Sequence, residues 1–248
     1  MRRQLLSVVI ITKNEVGRLP ACLDSIAFAD EIIIVDSGSE DGTVALAKSR
    51  GCKVIHQDWL GFGPQKQFAV SEAGNDWVLC LDADERVSID LRNSIELTLD
   101  SSHFNAYEMP RCNRFMGRWL KFGEGYPDYS LRLFHRRYAK WSDDTIHEKV
   151  MTSCEIGKLK GDLLHESHET LGQYLDKQNR YTSLQAKQLY ESGKRSSLFK
   201  IILNPIFRFI KMYFFRLGFL DGIQGTIHIL IGCFNTFMKY AKLREIGG

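Results

Sequence analysis

The apolar positions of this chain follow two alternating patterns. Short continuous runs rich in Val, Ile and Leu occupy residues 5–11, 31–35 and 77–81, as expected of strands covered on both faces in a parallel sheet. Between them the spacing is helical. Leu19, Cys22, Leu23 and Ile26 recur at i, i+3, i+4 and i+7, and residues 43–50 end at Gly51, a natural helix stop. Strand and helix thus alternate from residue 5 to residue 82, which predicts an α/β doubly wound domain. The phosphate-cradling patterns GxGxxG and GxxxxGKS/T are absent, so a dinucleotide-binding dehydrogenase or a P-loop enzyme is disfavoured.

Each of these strands runs into polar residues: Thr12, Asn14 and Glu15 after the first, Asp36 after the second, Asp82 and Asp84 after the third. In open parallel sheets the ligand crevice lies outside the carboxyl ends of the strands, so three strands aim polar groups at one place. Turn and capping chemistry is the competing use of Asp36-Ser37-Gly38-Ser39 and Asp41-Gly42-Thr43.

Further along, residues 111–125 read as an aromatic-rich loop, 128–134 as another strand, and 169–191 as a long helix. Asn204-Pro205 reads as the cap and first turn of the next helix. Residues 198–217 are dense in Ile, Leu and Phe but carry Lys200, Arg208, Lys211 and Arg216, the make-up of a basic amphipathic helix lying in a membrane interface. Residues 222–238 are free of charge, yet Gln224, Thr226, His228 and Asn235 make them a poor transmembrane span.

Composition sharpens this picture at three points. With 248 residues and 44% apolar side chains the chain can fill a sizeable core, which excludes general disorder. The net charge of +3 is unevenly placed: from Lys194 onward nine Lys/Arg face two Asp/Glu, so the tail is basic and the body acidic. Such a tail suits an anionic membrane surface. Nucleic acid is not expected, because the positive residues sit among long apolar stretches. The six cysteines are scattered, with no zinc or disulfide framework, which fits a reducing cytosol. Arg2 and Arg3 precede an apolar run that enters Thr12-Lys13-Asn14-Glu15 without a cleavage site, so it reads as a first buried strand and not as a signal peptide.

Asp82-Ala83-Asp84-Glu85, directly after a buried strand, is the most specific chemical signal. Two carboxylates one residue apart can divide their work, one reaching a ribose hydroxyl and the other a hard divalent cation that bridges two phosphates. The segments SVVIITKNE (7–15), EIIIVDSGSEDGT (31–43) and DWVLCLDADER (76–86) closely resemble glycosyltransferase family 2, the inverting nucleotide-sugar enzymes of the GT-A fold. GFGPQKQFA (61–69), RLF (132–134), His147-Glu148 and GFLDGIQG (218–225) are similar to the branch holding the lipopolysaccharide core β-glucosyltransferases of Gram-negative bacteria.

The resemblance implies a GT-A domain over residues 1–165, and the basic amphipathic pattern of the tail makes 166–248 a helical, membrane-associating region. It places Thr12, Asn14 and Glu15 beside the nucleoside, Asp36 on the uracil, Lys66 flanking the nucleotide and Asp82 on the ribose side. Asp84 would hold Mg2+ or Mn2+, with His165, and His147 behind it, as the added histidine. Inversion needs a base on the acceptor hydroxyl. The family's Glu-Asp pair is missing here; Glu148 is favoured, with Asp128, His147 and Asp143-Asp144 as alternatives. The implied reaction moves a hexose, glucose first, from a UDP-sugar to lipid A-core at the cytosolic face of the inner membrane. A polyprenyl phosphate acceptor and a catalytically silent nucleotide-sugar-binding protein are the rival readings.

Overall fold

A computed structural model of the protein describes residues 3–144, 148–167 and 170–247. His147 lies outside the described residues. The chain divides into two compact units, Met1–Arg111 with Asp128–His165, and Cys112–Pro127 with Glu166–Gly248.

The first unit opens with the alternation read above: β1 (Leu6–Thr12), α1 (Leu19–Ser25), β2 (Glu31–Asp36), α2 (Thr43–Ser49), β3 (Lys53–His56), α3 (Phe62–Ser71) and β4 (Trp77–Asp82). Gly51 follows α2 with φ +76°, a conformation open to glycine without a side-chain clash. Then come β5 (Glu85–Val87), α4 (Ile89–Asp100) and β6 (Ala106–Phe115), whose last residues pass into the second unit, as does β7 (Arg118–Trp119). The first unit resumes with β8 (Asp128–His135), β9 (Ala139–Trp141), β10 (Val150–Thr152), β11 (Ile156–Lys158) and β12 (Leu163–His165).

Strand order in the main sheet is β3-β2-β1-β4-β8-β6-β12-β5. The chain steps outward from β1 to β3 and then crosses back to β4, so the switch point lies between β1 and β4. Register places the chemistry there: Thr12 pairs with Asp36 and Ile11 with Asp82 across parallel neighbours, so three polar strand ends share one edge. Because β8 runs antiparallel to β4, its first residues return to that same edge. The antiparallel β12–β5 pair sets His165 opposite Glu85.

Alternate residues of β1 serve opposite layers. Leu6, Val8 and Ile10 pack with Leu19, Leu23, Leu91 and Ile95 of α1 and α4. Val9 and Ile11 pack with Ala69 and Val70 of α3 and with Phe134 and Trp141. Burying a Leu or Ile fully contributes about 1.5–3 kcal/mol, so these two layers hold the sheet and leave its carboxyl edge for polar residues.

The second unit holds α5 (Leu171–Glu191), α6 (Leu198–Ile210), a π turn at Lys211–Phe215, a 3-10 turn at Gly218–Asp221, and α7 (Gly222–Gly247). Thr170 and Gln173 close a capping box at the start of α5. α7 packs against both α5 and α6. The Asp221 carboxylate accepts the backbone N–H of Lys121 at 3.0 Å and of Phe122 at 2.8 Å, and Arg208 ion-pairs with Glu124 while donating to Thr236 at 2.8 Å.

Three sequence expectations change. Residues 111–125 are not all loop: Arg114 pairs with Trp119 in a β6–β7 hairpin whose turn residues, Met116 and Gly117, both have positive φ. Pro205 does not open a helix. Ser197 caps α6 and the proline sits inside it, tolerated at the loss of one intrahelical hydrogen bond. Arg208, expected on a lipid-facing surface with Lys211, is half-buried in its pair with Glu124. Among the described residues no single helix is long and apolar enough to cross a membrane; Leu198–Phe215 and Gly218–Gly247, bent by 76°, meet the length and composition test as a pair.

Candidate active site

A cleft of about 520 Å³ opens at the carboxyl edge of β1 and β4. Thr12 and Glu15 line it from the first loop, Asp82 and Asp84 from the end of β4, His165 from the end of β12, and the rings of Trp59 and Phe62 from the segment entering α3. The Thr12 hydroxyl oxygen is buried and has no hydrogen-bond partner among the described residues, so it is free to bond a ligand. Glu15 pairs with Arg18, and burial raises its carboxyl above the usual range despite that cation. Asn14 and Asp36 tie loops together. Asn14 accepts the Glu40 N–H at 2.8 Å, and Asp36 accepts those of Gly38 and Ser39 at 3.0 and 2.8 Å.

Asp84 Oδ2 stands 3.3 Å from His165 Nε2 and 3.7 Å from Arg18. Burial would raise the Asp84 carboxyl, but the hydrogen bond and charge of His165 hold it below the ordinary carboxylate range. Lys66, almost wholly buried on α3, places its ammonium 3.1 Å from Asp82, 3.1 Å from Glu148 and 4.8 Å from the centre of the Trp141 ring. Asp82 is also bonded to Arg132 at 3.0 Å. Burial works against its charge, yet Arg132, Lys66 and Arg111 hold its carboxyl far below the usual range.

Residues 7–149 match the family described as glycosyl transferase family 2. The chain belongs to that family. Curated relatives extend the likeness over nearly the full chain: an uncharacterized glycosyltransferase of Rickettsia typhi is 36% identical, covering 97% of this chain and 87% of that protein. The lipopolysaccharide core biosynthesis glycosyltransferase LpsC of Rhizobium meliloti is 32% identical, covering 97% and 92%. Among solved structures, residues 1–349 of S. aureus TarS in complex with UDP-GlcNAc superpose with a TM-score of 0.52 at 14% identity, covering 97% of this chain and 90% of that one; this likeness shows the GT-A fold. The protein is a family 2 glycosyltransferase.

Within this glycosyltransferase, Asp84 and His165 converge on the cleft as one oxygen and one nitrogen donor. That pair suits a divalent cation completing its shell with phosphate oxygens and water. No cluster of three His, Cys, Asp or Glu suited to a metal occurs among the described residues. Of the carboxylates considered as the base, Glu148 and Asp128 differ in setting. Glu148 is held by the buried Lys66 beside Asp82, whereas Asp128 is 55% exposed and 4.0 Å from Arg111.

Trp59, Phe62, Arg18 and Arg132 were not singled out from sequence as site residues. Trp59 and Phe62 are about half exposed and meet edge to face at 4.8 Å in the cleft wall; exposed aromatics beside GFGPQKQFA were the available signal. Arg132 lay within the RLF segment, but its contact with Asp82 depends on β8 pairing with β4.

Proposed function

We propose that this glycosyltransferase transfers a hexose, glucose first, from a UDP-sugar to a lipid-linked saccharide of the lipopolysaccharide core, with inversion at the anomeric carbon. The observation that carries the reading is the convergence of Asp82, Asp84 and His165 in one cleft, with Glu148 joined to Asp82 through Lys66. Thr12 and Glu15 border the nucleoside and Asp82 faces the ribose. Asp84 and His165 hold Mg2+ or Mn2+, which when bound offsets the charge that develops on the diphosphate. Glu148 accepts the proton of the acceptor hydroxyl as that oxygen bonds to the anomeric carbon and the bond to UDP breaks. Lys66, 3.1 Å away, holds the Glu148 carboxylate in place.

The acceptor class draws support from the name of the Rhizobium meliloti relative. A membrane partner draws support from the second unit. Phe199, Ile202, Ile206, Phe207 and Ile210 form an exposed apolar face on α6, continued by Phe214, Phe215, Phe219 and Ile223 around the bend. Lys200, Lys211 and Arg216 are exposed among them, while Asp221 is buried. An anionic bilayer on the cytosolic side complements both apolar surface and charge. Two copies of this face would instead bring like charges together.

The deciding experiment compares core oligosaccharide by mass spectrometry from cells with and without the protein, and then supplies purified enzyme with the truncated lipid A-core and individual UDP-sugars. One missing hexose, restored in vitro from one donor, is expected. An unchanged core together with a sugar on isoprenoid phosphate would overturn the acceptor assignment.

A further inference from the structure

Asp82 is gripped by buried cations from two different elements. Lys66 on α3 lies 3.1 Å from one carboxylate oxygen and donates to the other at 3.4 Å, and Arg132 on β8 donates to that second oxygen at 3.0 Å. The same Arg132 nitrogen lies 3.1 Å from Glu85, which is fully buried and accepts the Asp82 backbone N–H at 3.0 Å. Beyond Glu85 stands Arg111 at 2.8 Å, and beyond that Asp128 at 4.0 Å; beyond Lys66 stands Glu148 at 3.1 Å. Charge therefore alternates along Glu148, Lys66, Asp82, Arg132, Glu85, Arg111 and Asp128. Glu148 and Asp128, two of the carboxylates weighed as the base, end this chain, and Arg132 is its central member.

Packing alone does not call for a guanidinium at this position. Its neighbours on β8, Leu133 and Phe134, are fully buried apolar residues, and buried ion pairs are often no more stabilising than apolar side chains of similar volume. We propose that Arg132 is a positioning residue for the donor site, acting through Asp82: it ties one carboxylate oxygen to the side of Glu85 while Lys66 approaches both oxygens from α3, giving the carboxylate one orientation in the cleft. Arginine suits this task because its planar fork offers several N–H donors at fixed angles. Here Nε donates to Ser130 at 3.1 Å, and the guanidinium carbon lies 5.6 Å from the centre of the Trp141 ring, so the plane is held on further sides. The proposal rests on reading Asp82 as a donor contact.

The test is calorimetric binding of UDP with Mn2+ to four full-length proteins: wild type, Asp82→Asn, Arg132→Met and the double variant. Arg132→Met is expected to weaken UDP at least tenfold in the wild-type background and less than threefold in the Asp82→Asn background, because its effect passes through that carboxylate. Arg132→Lys, which keeps the charge and loses the fork, should recover part of the affinity. If Arg132→Met does not fold, Arg132→Lys and Arg132→Gln take its place in the same cycle. Equal losses in both backgrounds, or wild-type affinity in a folded Arg132 variant, overturn this inference alone. Wild-type affinity in Asp82→Asn overturns it together with the donor reading.

Discussion

Asp84 meets His165 across 3.3 Å, and the two side chains would be the oxygen and nitrogen donors to a cation bound in the cleft. Asp84→Asn keeps the shape and removes the charge. If the cation contributes several kcal/mol to the departing diphosphate, turnover should fall on the order of 10²- to 10³-fold, with the unfolding midpoint little changed; full turnover in the variant with chelator present would refute the role. The base is tested by a paired comparison. Glu148→Gln should lower turnover roughly 10²- to 10⁴-fold while leaving UDP affinity near wild type, and Asp128→Asn should be close to wild type in both. The opposite pattern would move the base to Asp128. Asp84 was legible in sequence because a polar residue after a buried strand is a local pattern, while Glu148 and Asp128 were reached through the family resemblance. Their partners were not: Lys66 and Glu148 are 82 residues apart.

In the second unit, α6 and α7 are held by charge as well as by apolar contact. Gly232 on α7 leaves room for the Glu124 carboxylate, which a Cβ there would strike, and Arg208 completes the arrangement. Hydrogen bonds to charged groups contribute about 1.5–3 kcal/mol each. Arg208→Glu should therefore lower the unfolding midpoint by several degrees, and the reversed pair Arg208→Glu with Glu124→Arg should recover much of it. A variant as stable as wild type would show that the pair is idle. His228, on α7, contacts Tyr174 at 3.1 Å and the edge of Phe115. Burial pushes its pKa below the ordinary 6.5. The unfolded chain then binds the proton more readily than the folded one, so stability is full above about pH 6.5 and declines as pH falls from there toward the depressed folded value. Thermal unfolding from pH 7.5 to 5.5 should show this decline, and His228→Gln should flatten it. Equal slopes would assign the acid sensitivity elsewhere. The α5 helix was readable from its strong helix formers, whereas Asn204-Pro205 lies inside α6, which starts earlier, at its Ser197 cap, and packs against α7.

The proposed membrane contact rests on the exposed apolar bend with Lys211 and Arg216, and Arg208, paired with Glu124, is not part of it. Basic residues near an anionic leaflet contribute about 1 kcal/mol each, a term that salt weakens, whereas insertion of phenylalanine is unscreened. The full-length protein should float with anionic liposomes and be only partly released by high salt. Lys211→Glu with Arg216→Glu should weaken flotation mainly at low salt, and Phe215→Asp with Phe219→Asp at every salt concentration. Equal recovery on neutral and anionic liposomes, unaffected by either pair, would remove the membrane assignment.

The alternation of buried runs and helical spacing over the first 82 residues was enough to identify the α/β class and the polar strand ends of the candidate site, and the composition from Lys194 onward to identify a basic apolar tail. Each of these is a property of consecutive residues, written in side-chain period and turn chemistry. Placing His165 against Asp84 required the antiparallel return of β12 onto β5, and placing Arg132 on Asp82 required β8 to run back along β4. Tail residues of one sequence class also separated. Arg208 turned inward to Glu124 while Lys211 stayed exposed. Strand order, register and helix packing join residues far apart in the chain, and no local period contains that information.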